Sequence, residues 1–309
     1  MKILFIGMGS IGKRHLNNIK NYAKKNNITL EIHALRSDMK KEVSGDVDLQ
    51  FYKYEDIPSD YDCCFICNPT FKHHEALKNI FRKCKYIFLE KPVFDHGNYD
   101  ISFLKETELD KVYVAAPLRY NRIIKEVKSI LSHQKAYSVR VICSSYLPAW
   151  RKNVDYRNVY SSHKDQGGGV SIDCIHEWDY ITDFFGFPQK IINIENKVSD
   201  LEIDCEDVSI YIADYGDKVA EVHLDYFGLN SRREVEVLTK HGFVKGDLIN
   251  KSVHILKNNQ LETKYFEYDI NEMYEEEIKY FFEVVCLNKG NQNNIINAIK
   301  VLSLVKEVR

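Results

Sequence analysis

The sequence has few residues that break regular structure, with 6 prolines and 14 glycines among 309 residues. This scarcity excludes a collagen-like, linker-dominated or low-complexity chain. A basic excess is also missing, because 43 lysines and arginines are balanced by 45 aspartates and glutamates. Proteins that bind nucleic acid through its phosphates usually carry such an excess, so the composition argues against a nucleic-acid partner.

No long hydrophobic run is present either. A membrane-spanning helix needs about 20 consecutive apolar residues, whereas the longest runs here, such as 2–9, have the length of a strand. The apolar start is too short for a secretory signal, and Lys13 and Arg14 follow it without a small-residue cleavage site. We therefore predict a cytoplasmic protein without a membrane partner.

The 8 cysteines are scattered and lie mostly in apolar runs. Such a distribution indicates reduced, buried thiols rather than a disulfide framework. Cys64 and Cys67 have the spacing of a redox or metal pair, but no second pair or histidine follows at zinc spacing. We interpret them as thiols packed within a strand, and we expect no metal site.

The first third of the chain alternates short apolar runs with amphipathic ones. This alternation predicts a parallel sheet with crossover helices. The predicted strands span 2–6, 28–35, 62–67, 86–89 and 112–115, and the predicted helices span 11–24, 73–83 and 99–108.

After Pro117 the pattern changes, and from Gln189 to Tyr268 it is typical of strands almost throughout. The fold class is therefore predicted as α/β, with a nucleotide-binding type of domain over 1–118 and an α+β domain with a mostly antiparallel sheet over 119–309. The last helix can pack back on the first domain. The predicted helices span 121–131, 170–185, 273–287 and 295–308, and the strands span 136–146, 208–214, 219–227, 232–239, 243–247, 253–256 and 263–268.

The sharpest motif is Gly7-Met8-Gly9-Ser10-Ile11-Gly12, which follows a predicted strand and opens a predicted helix. Gly7 permits the tight turn, Gly9 lets backbone amides approach a pyrophosphate, and Gly12 lets the helix pack against the strand. The helix N-terminus adds partial positive charge. This segment, including Ser10 and Ile11, predicts a dinucleotide-binding loop.

The end of the second strand discriminates between the two nicotinamide cofactors. A carboxylate there would bind the adenosine ribose and repel a 2′-phosphate. The sequence has Arg36 and Ser37 instead, and both can donate hydrogen bonds to a phosphate. This favours NADP over NAD, although Arg36 can also stack on adenine while Asp38 binds the ribose.

Two further segments follow strands of the same sheet, at the edge where open α/β sheets bind ligands. One is Asn68-Pro69-Thr70-Phe71-Lys72-His73, and the other is Glu90-Lys91-Pro92. A lysine held by an adjoining proline can reach a reacting oxygen. Each segment is also compatible with a simple turn that carries a solvated charge.

A fourth segment combines a glycine run, Gly167–Gly169, with an acid and a histidine. Asp173 and His176 are three residues apart on the predicted helix and therefore share a face, which Asp179 continues. Histidine suits proton transfer near neutral pH, and a carboxylate can orient it. The residue four positions after His176 is Tyr180, so the two-histidine zinc spacing is absent.

An aromatic and basic stretch precedes these glycines. Aromatic faces stack on sugar rings or bases, and arginines pair with phosphates or carboxylates. These residues are compatible with the binding of a substrate that carries a negative group, such as a nucleotide-linked or acidic sugar. They are equally compatible with a surface loop that packs over the sheet. The residues concerned are Trp150, Arg151, Tyr156 and Arg157.

In this order the four segments resemble the Gfo/Idh/MocA family, named for glucose–fructose oxidoreductase and inositol 2-dehydrogenase. The resemblance covers essentially the whole chain. It implies a Rossmann domain followed by a domain with an open-faced sheet, whose exposed face pairs with another copy in a homodimer or homotetramer. It also implies hydride transfer between a nicotinamide and a sugar or related polyol.

The resemblance also assigns roles to individual residues. Lys91, Asp173 and His176 match the catalytic residues, although many members place histidine four residues after aspartate rather than three. A subgroup with the shorter gap is similar to this sequence, and Asp179 is a second candidate to orient His176. The implied cofactor contacts are Asn68, Pro69, Thr70, His73, Glu90 and Lys91, and the implied substrate contacts include Arg119, Tyr120 and His176.

The sequence thus predicts an NAD(P)-dependent oxidoreductase that acts on a sugar or nucleotide-sugar derivative. His176 and Lys91 are expected to converge on one substrate oxygen. Two alternatives remain open at this point: an imine or linear-tetrapyrrole reductase on the same scaffold, and a non-catalytic dinucleotide-sensing protein.

Overall fold

The computed structural model describes residues 1–36 and 45–306, which divide into two compact units. The first unit contains Met1–Pro117 and Tyr274–Leu302. The second contains Leu118–Met273 and the end of the last helix. In the described part of the chain, no helix combines the length and hydrophobicity that crossing a bilayer requires.

The first unit is built on a six-stranded parallel sheet with the order β3-β2-β1-β4-β5-β6. Its core is aromatic: Phe65 stacks on Phe5 and Phe88 with ring centroids 5.2 and 4.8 Å apart, and Phe281 packs edge-on at 5.5 Å. The strands are β1 (Lys2–Ile6), β2 (Glu31–Leu35), β3 (Leu49–Phe51), β4 (Tyr61–Ile66), β5 (Cys84–Leu89) and β6 (Val112–Val114).

Helices α1 (Ser10–Lys25) and α2 (His73–Ile80) connect these strands. Helix α1 buries one face, and Lys24 and Lys25 in its last turn suit the negative end of the helix dipole. The helix predicted over 99–108 is wrong, because that segment contains only turns and the start of a 3-10 helix, Glu106–Lys111. Asp100 accepts hydrogen bonds from the backbone and side chain of Ser102, a local turn that competes with a helix.

The second unit is built on an eight-stranded sheet with the order β14-β13-β12-β11-β7-β10-β9-β8. All its pairs are antiparallel except β7 with β10. The predicted α/β class, with a mostly antiparallel second sheet, is confirmed. The strands are β7 (Ala136–Tyr146), β8 (Lys190–Asn196), β9 (Val208–Asp214), β10 (Val219–Asp225), β11 (Phe227–Thr239), β12 (Gly242–Asp247), β13 (Ser252–Lys257) and β14 (Gln260–Tyr265).

Helix α3 (Arg122–Leu131) opens this unit, with Asn121 capping it by accepting from the Ile123 amide at 2.9 Å. The single helix predicted over 170–185 is wrong. It divides into α4 (Val170–Asp173) and α5 (His176–Phe185), separated by Cys174 and Ile175. Asp173 and His176 therefore do not share the face of one continuous helix.

Two more helices complete the described chain. Helix α6 (Glu272–Tyr280) continues into one π-helical turn, Phe281–Val285, and α7 (Ile295–Lys306) follows. The strand pairing of the second sheet gives it two unlike faces, as expected. Val141, Val222 and Val235 are fully buried on one face, whereas Ile192 and Ile194 are 55% and 61% exposed on the other.

Candidate active site

The glycine loop after β1 has the backbone that the motif predicts. Gly7 has φ +92°, and a Cβ there would lie 2.6 Å from the Asn68 amide nitrogen. A Cβ on Gly12 would lie 2.4 Å from the Gly7 carbonyl oxygen. Neither position can carry a side chain unless the backbone moves, so both glycines fix the turn that joins β1 to α1.

Gly9 differs from its neighbours, because no atom of the described residues lies within 4 Å of the position a Cβ would take. It caps α1, and no side chain caps this end of the helix or places an acid in its first turn. The first amides of α1 are therefore left to a ligand or to water, at the end where the helix dipole favours an anion.

Three loops leave neighbouring strands at one edge of the parallel sheet. Ile6 pairs with Ile66, and Ile66 pairs with Leu89, in the strand registers. The glycine loop, the Asn68 segment and the Lys91 segment begin directly after these three residues. Since the carboxyl edge of such a sheet is where ligands bind, this clustering supports a dinucleotide site.

The Asn68 segment contains an unsatisfied polar atom. Asn68 Oδ1 is buried and has no hydrogen-bond partner in residues 1–36 and 45–306. The His73 ring ties two turns together: Nε2 lies 3.0 Å from the Asn68 carbonyl oxygen, and Nδ1 lies 3.0 Å from that of Pro92. Burial lowers the pKa of His73, against the opposing effect of these carbonyls. The His73 ring thus joins the Asn68 and Pro92 turns, and its predicted contact with the cofactor stays a prediction.

Glu90 and Lys91 follow β5 directly. Glu90 Oε1 lies 2.5 Å from His15 Nε2, and the Lys91 amide donates to Glu90 Oε2 at 3.2 Å. Burial raises the pKa of Glu90, but the hydrogen bond from His15 and the charge of Lys91 outweigh it, and the pKa is lowered. Glu90 is expected to contact the cofactor, and in this structure its carboxylate accepts hydrogen bonds from His15 and from the Lys91 amide.

In the second unit, Asp173 is held by two phenols that the sequence did not single out. Tyr160 donates to Oδ1 at 2.9 Å, and Tyr226 donates to Oδ2 at 2.7 Å. Burial, with the charge of Asp173, raises the pKa of both tyrosines. Tyr160 lies within the aromatic stretch noted above, but nothing in the sequence connects Tyr226 to Asp173.

Two ion pairs with buried carboxylates follow His176 along the chain. Glu177, whose side chain is fully buried, accepts from Arg233 Nε at 2.7 Å and from Nη2 at 3.1 Å. Asp179 accepts from Arg119 Nε at 2.9 Å and from Nη2 at 2.7 Å. Arg119 and Asp179, expected at the substrate and behind His176, are thus paired with each other.

The aromatic stretch forms a small surface pocket of about 230 Å³, lined in part by Trp150, Arg151 and Tyr156. Trp150 packs edge-on against Tyr226, 5.3 Å between ring centroids. Arg157 is engaged elsewhere, in exposed ion pairs with Asp155 and Glu202. Of the remaining expected contacts, Tyr120 is half-buried in the turn Pro117–Tyr120, and Ser37 lies outside the described residues.

The fold and the glycine loop together define a dinucleotide-binding α/β protein. Residues 1–117 match the GFO_IDH_MocA family model, described as an oxidoreductase family with an NAD-binding Rossmann fold. This match agrees, over residues 1–117, with the resemblance to the Gfo/Idh/MocA family noted in the sequence.

Comparison with known proteins extends this picture. The chain is 25% identical over 187 residues to the uncharacterized oxidoreductase YrbE of Bacillus subtilis, a match that covers 56% of this chain and only half of that relative. A myo-inositol 2-dehydrogenase from Lactobacillus plantarum has a similar structure (TM-score 0.75, 19% identity), matching 100% of this chain and 96% of the other. A UDP-N-acetylglucosamine 3-dehydrogenase from Acidithiobacillus ferrooxidans is also similar (TM-score 0.75, 14% identity, 100% and 96% covered). At these identities the structures establish the shared fold.

Proposed function

We propose that this protein is an NAD(P)-dependent oxidoreductase that transfers a hydride from a hydroxyl-bearing carbon, or to a keto carbon, of a sugar or nucleotide-sugar derivative. The observation that carries the proposal is the clustering of the glycine loop, Asn68 and Lys91 after three adjacent parallel strands. A dinucleotide loop alone would fit a sensor, but a lysine at the same edge gives the site a group for chemistry.

The residues at this edge fit a nicotinamide dinucleotide. Gly9 leaves open space over the backbone, the uncapped end of α1 suits a pyrophosphate, and the buried Asn68 Oδ1 can accept a hydrogen bond from a ligand. Ser10, Ile11, Pro69 and Thr70 belong to the same two loops. When bound, the nicotinamide supplies or accepts the hydride.

Lys91 and His176 are the proposed proton-handling residues. The Lys91 ammonium donates a hydrogen bond to the substrate oxygen and stabilises the negative charge that develops on it. His176 takes the hydroxyl proton during oxidation and returns it during reduction. Asp173, fixed by Tyr160 and Tyr226, is proposed to keep a negative charge on the same segment as His176.

The proposed substrate class rests on the aromatic pocket and on the similar structures. Trp150 and Tyr156 offer faces for a sugar ring, and Arg151 offers a positive charge for an acidic or phosphorylated group. The similar structures include one named for a polyol and one named for a nucleotide sugar. Arg119 and Arg157 are left out of the proposed contacts, since both are engaged by carboxylates.

We also propose a preference for NADPH, because Arg36 follows β2 where a ribose-binding carboxylate would otherwise stand. Two added charge-assisted hydrogen bonds are worth about 1.5–3 kcal/mol each before solvent exposure, enough for at least a tenfold preference. The dissociation constants of NADH and NADPH test this. Tighter NADH binding, or unchanged NADPH affinity in Arg36→Ala, contradicts it.

The assembly and compartment are proposed on separate grounds. The outer face of the second sheet exposes Ile192, Ile194 and Ile212, and a second copy of the chain is the proposed cover for it. Light scattering that reports a monomer at micromolar concentration contradicts this. The free thiols suit a reducing compartment such as the cytoplasm.

A ligand panel tests the function. Thermal unfolding is measured with NADH or NADPH alone, then with myo-inositol, UDP-N-acetylglucosamine or biliverdin added. A ligand at 100 times its dissociation constant stabilises the fold by about 2.7 kcal/mol. We expect a sugar to add to the stabilisation by the dinucleotide and to be turned over, followed by nicotinamide absorbance. Response to biliverdin alone favours the tetrapyrrole reductase, and dinucleotide binding with no turnover of any compound favours the sensor.

A further inference from the structure

We propose that His15 and Glu90 act together as positioning residues for Lys91, with the Glu90 carboxylate holding the turn that carries the lysine through the Lys91 amide. The inference rests on the proposed function, in which Lys91 handles charge on the substrate oxygen. Neither His15 nor Glu90 touches a reacting atom in this proposal. They act through the turn that carries Lys91.

The contact between the two residues is short and shielded from water. His15 Nε2 lies 2.5 Å from Glu90 Oε1, and the His15 side chain is fully buried while that of Glu90 is 11% exposed. His15 is packed by aromatic rings, with Phe88 4.9 Å and Tyr274 6.2 Å from it between centroids. A hydrogen bond to a carboxylate in such surroundings is stronger than one in water.

The second ring nitrogen of His15 indicates which atom donates the hydrogen bond between His15 and Glu90. His15 Nδ1 is buried and has no hydrogen-bond partner in the part of the chain that the structure describes. A proton on Nδ1 would be left unsatisfied, so the geometry fits a neutral ring whose Nε2–H donates to Glu90. The pair then carries one net negative charge, located on Glu90.

The other oxygen of Glu90 is directed to the backbone of the next residue. Oε2 accepts from the Lys91 amide at 3.2 Å, while the Glu90 amide donates to the Ile66 carbonyl at 2.9 Å. The carboxylate therefore bridges helix α1, through His15, to the turn at Lys91. The rings of His15 and His73, the charge of Lys91 and the phenol of Tyr274 all face this carboxylate.

This arrangement connects the two parts of the proposed site. His15 lies three residues after Gly12 on the helix whose N-terminus suits the pyrophosphate, and Glu90 precedes Lys91. The buried contact between His15 and Glu90 thus fixes the position of helix α1 relative to the turn that carries Lys91.

The first test needs no substrate. The full-length protein is treated with limiting acetic anhydride, and the acetylation rate of Lys91 is measured by peptide mass spectrometry against the other lysines of the same digest. In Glu90→Gln we expect Lys91 to react at least about threefold faster, because the turn that carries it loses the carboxylate that accepts from the Lys91 amide and from His15. Adding His15→Phe to Glu90→Gln changes the rate little, since the two residues act as one unit.

His33→Phe is the matched control. His33 is also a buried histidine of the first unit, and its Nδ1 lies 2.7 Å from the Tyr61 hydroxyl, but it has no connection to the Lys91 turn. This variant loses a buried hydrogen bond without altering Lys91 acetylation. An unchanged Lys91 rate in Glu90→Gln, or an equal change in His33→Phe, overturns the inference.

The second test uses turnover of whichever panel sugar is a substrate. Glu90→Gln and His15→Phe should each lower kcat about tenfold or more while the NADPH dissociation constant stays within about twofold, as expected for a misplaced group. If Lys91→Ala is inactive but both variants keep kcat, the positioning role is wrong. If Lys91→Ala keeps full turnover, the proposed function is wrong instead. Should Glu90→Gln fail to fold, Glu90→Asp retains the charge with a shorter reach and is held to the same kcat criterion.

Discussion

The two units of this chain present their candidate functional groups in different ways. In the first, the groups that suit a dinucleotide are mainly backbone: a glycine turn, an open Gly9 and the uncapped end of α1. In the second, they are side chains held by partners far away in sequence, such as Asp173 with Tyr226, 53 positions apart. A site formed by backbone atoms can be predicted from a short sequence motif. A site formed by side chains that pair over long sequence distances can be recognised only in the folded structure.

The strongest test of this difference between the units is to introduce a side chain into the glycine loop of the first unit. Gly12→Val should abolish dinucleotide binding and destabilise the fold, because its Cβ meets the Gly7 carbonyl at 2.4 Å. Gly9→Ala should leave the thermal midpoint unchanged, since nothing lies within 4 Å, yet weaken binding of NADH and NADPH. Gly45→Ala, also with nothing within 4 Å, serves as the neutral control. Normal cofactor affinity in Gly12→Val contradicts the backbone site.

The next largest effect is expected for the two proposed proton-handling residues. Lys91→Ala and His176→Ala should each lose about 10²–10⁴-fold in turnover, the usual cost of removing a general acid or base. Cofactor affinity should stay near wild type, because neither residue is asked to hold the phosphates. Steady-state kinetics and NADPH titration measure both quantities. Near-full turnover in both variants would remove these two residues from the mechanism.

A smaller effect tests whether the second unit depends on its long-range pairs. Arg233→Met leaves the fully buried Glu177 carboxylate without its bidentate partner and should destabilise the protein by about 3 kcal/mol. Arg140→Ala removes an exposed pair with Glu221 on the same sheet and should cause no measurable loss. Urea unfolding compares the two variants, and equal stabilities would show that burial of the pair is unimportant.

The smallest expected effect concerns acid stability of the first unit. The pKa of Glu90 is lowered from its ordinary value of 4.5 despite the opposing effect of burial, by the hydrogen bond from His15 and the charge of Lys91. The unfolded chain thus binds a proton more readily, so Glu90 contributes stability above pH 4.5 that is lost as the pH falls through the folded pKa. Unfolding free energies of wild type and Glu90→Gln should converge on acidification. A constant difference between them argues against this linkage.

Much of the first unit follows from the sequence. The glycine motif, the strand at 2–6 and the alternation of strands and helices all depend on local pattern, and the structure agrees with them. The predicted helix over 99–108 is wrong because the turn at Asp100 and Ser102 is a side-chain effect that periodicity does not register. The short strand β3 was also missed, since 3 residues carry too little pattern.

In the second unit the strands were predictable, but the site was not. The hydrophobic pattern over 170–185 gives no sign of the break at Cys174, which separates Asp173 from His176. The partner of Arg119 could not be inferred either, because Asp179 is 60 positions away and many acids compete for that role. Both the helix break and the ion pair depend on tertiary contacts. The spacing of residues in a single sequence does not reveal such contacts.

The parallel pairing of β7 with β10 has a consequence for how this scaffold diversifies. Two parallel neighbours cannot be joined by a tight turn, so the chain leaves the sheet after Tyr146, rejoins it at its edge with β8 from Lys190, and reaches β10 only through β8 and β9. That excursion carries the aromatic pocket, Asp173 and His176. Its irregular stretch, from Leu147 to Gly169, lies between strands β7 and β8 rather than within a strand. The proposed substrate contacts and the glycine loop therefore lie on separate segments of the chain, and we expect the two segments to vary independently of each other.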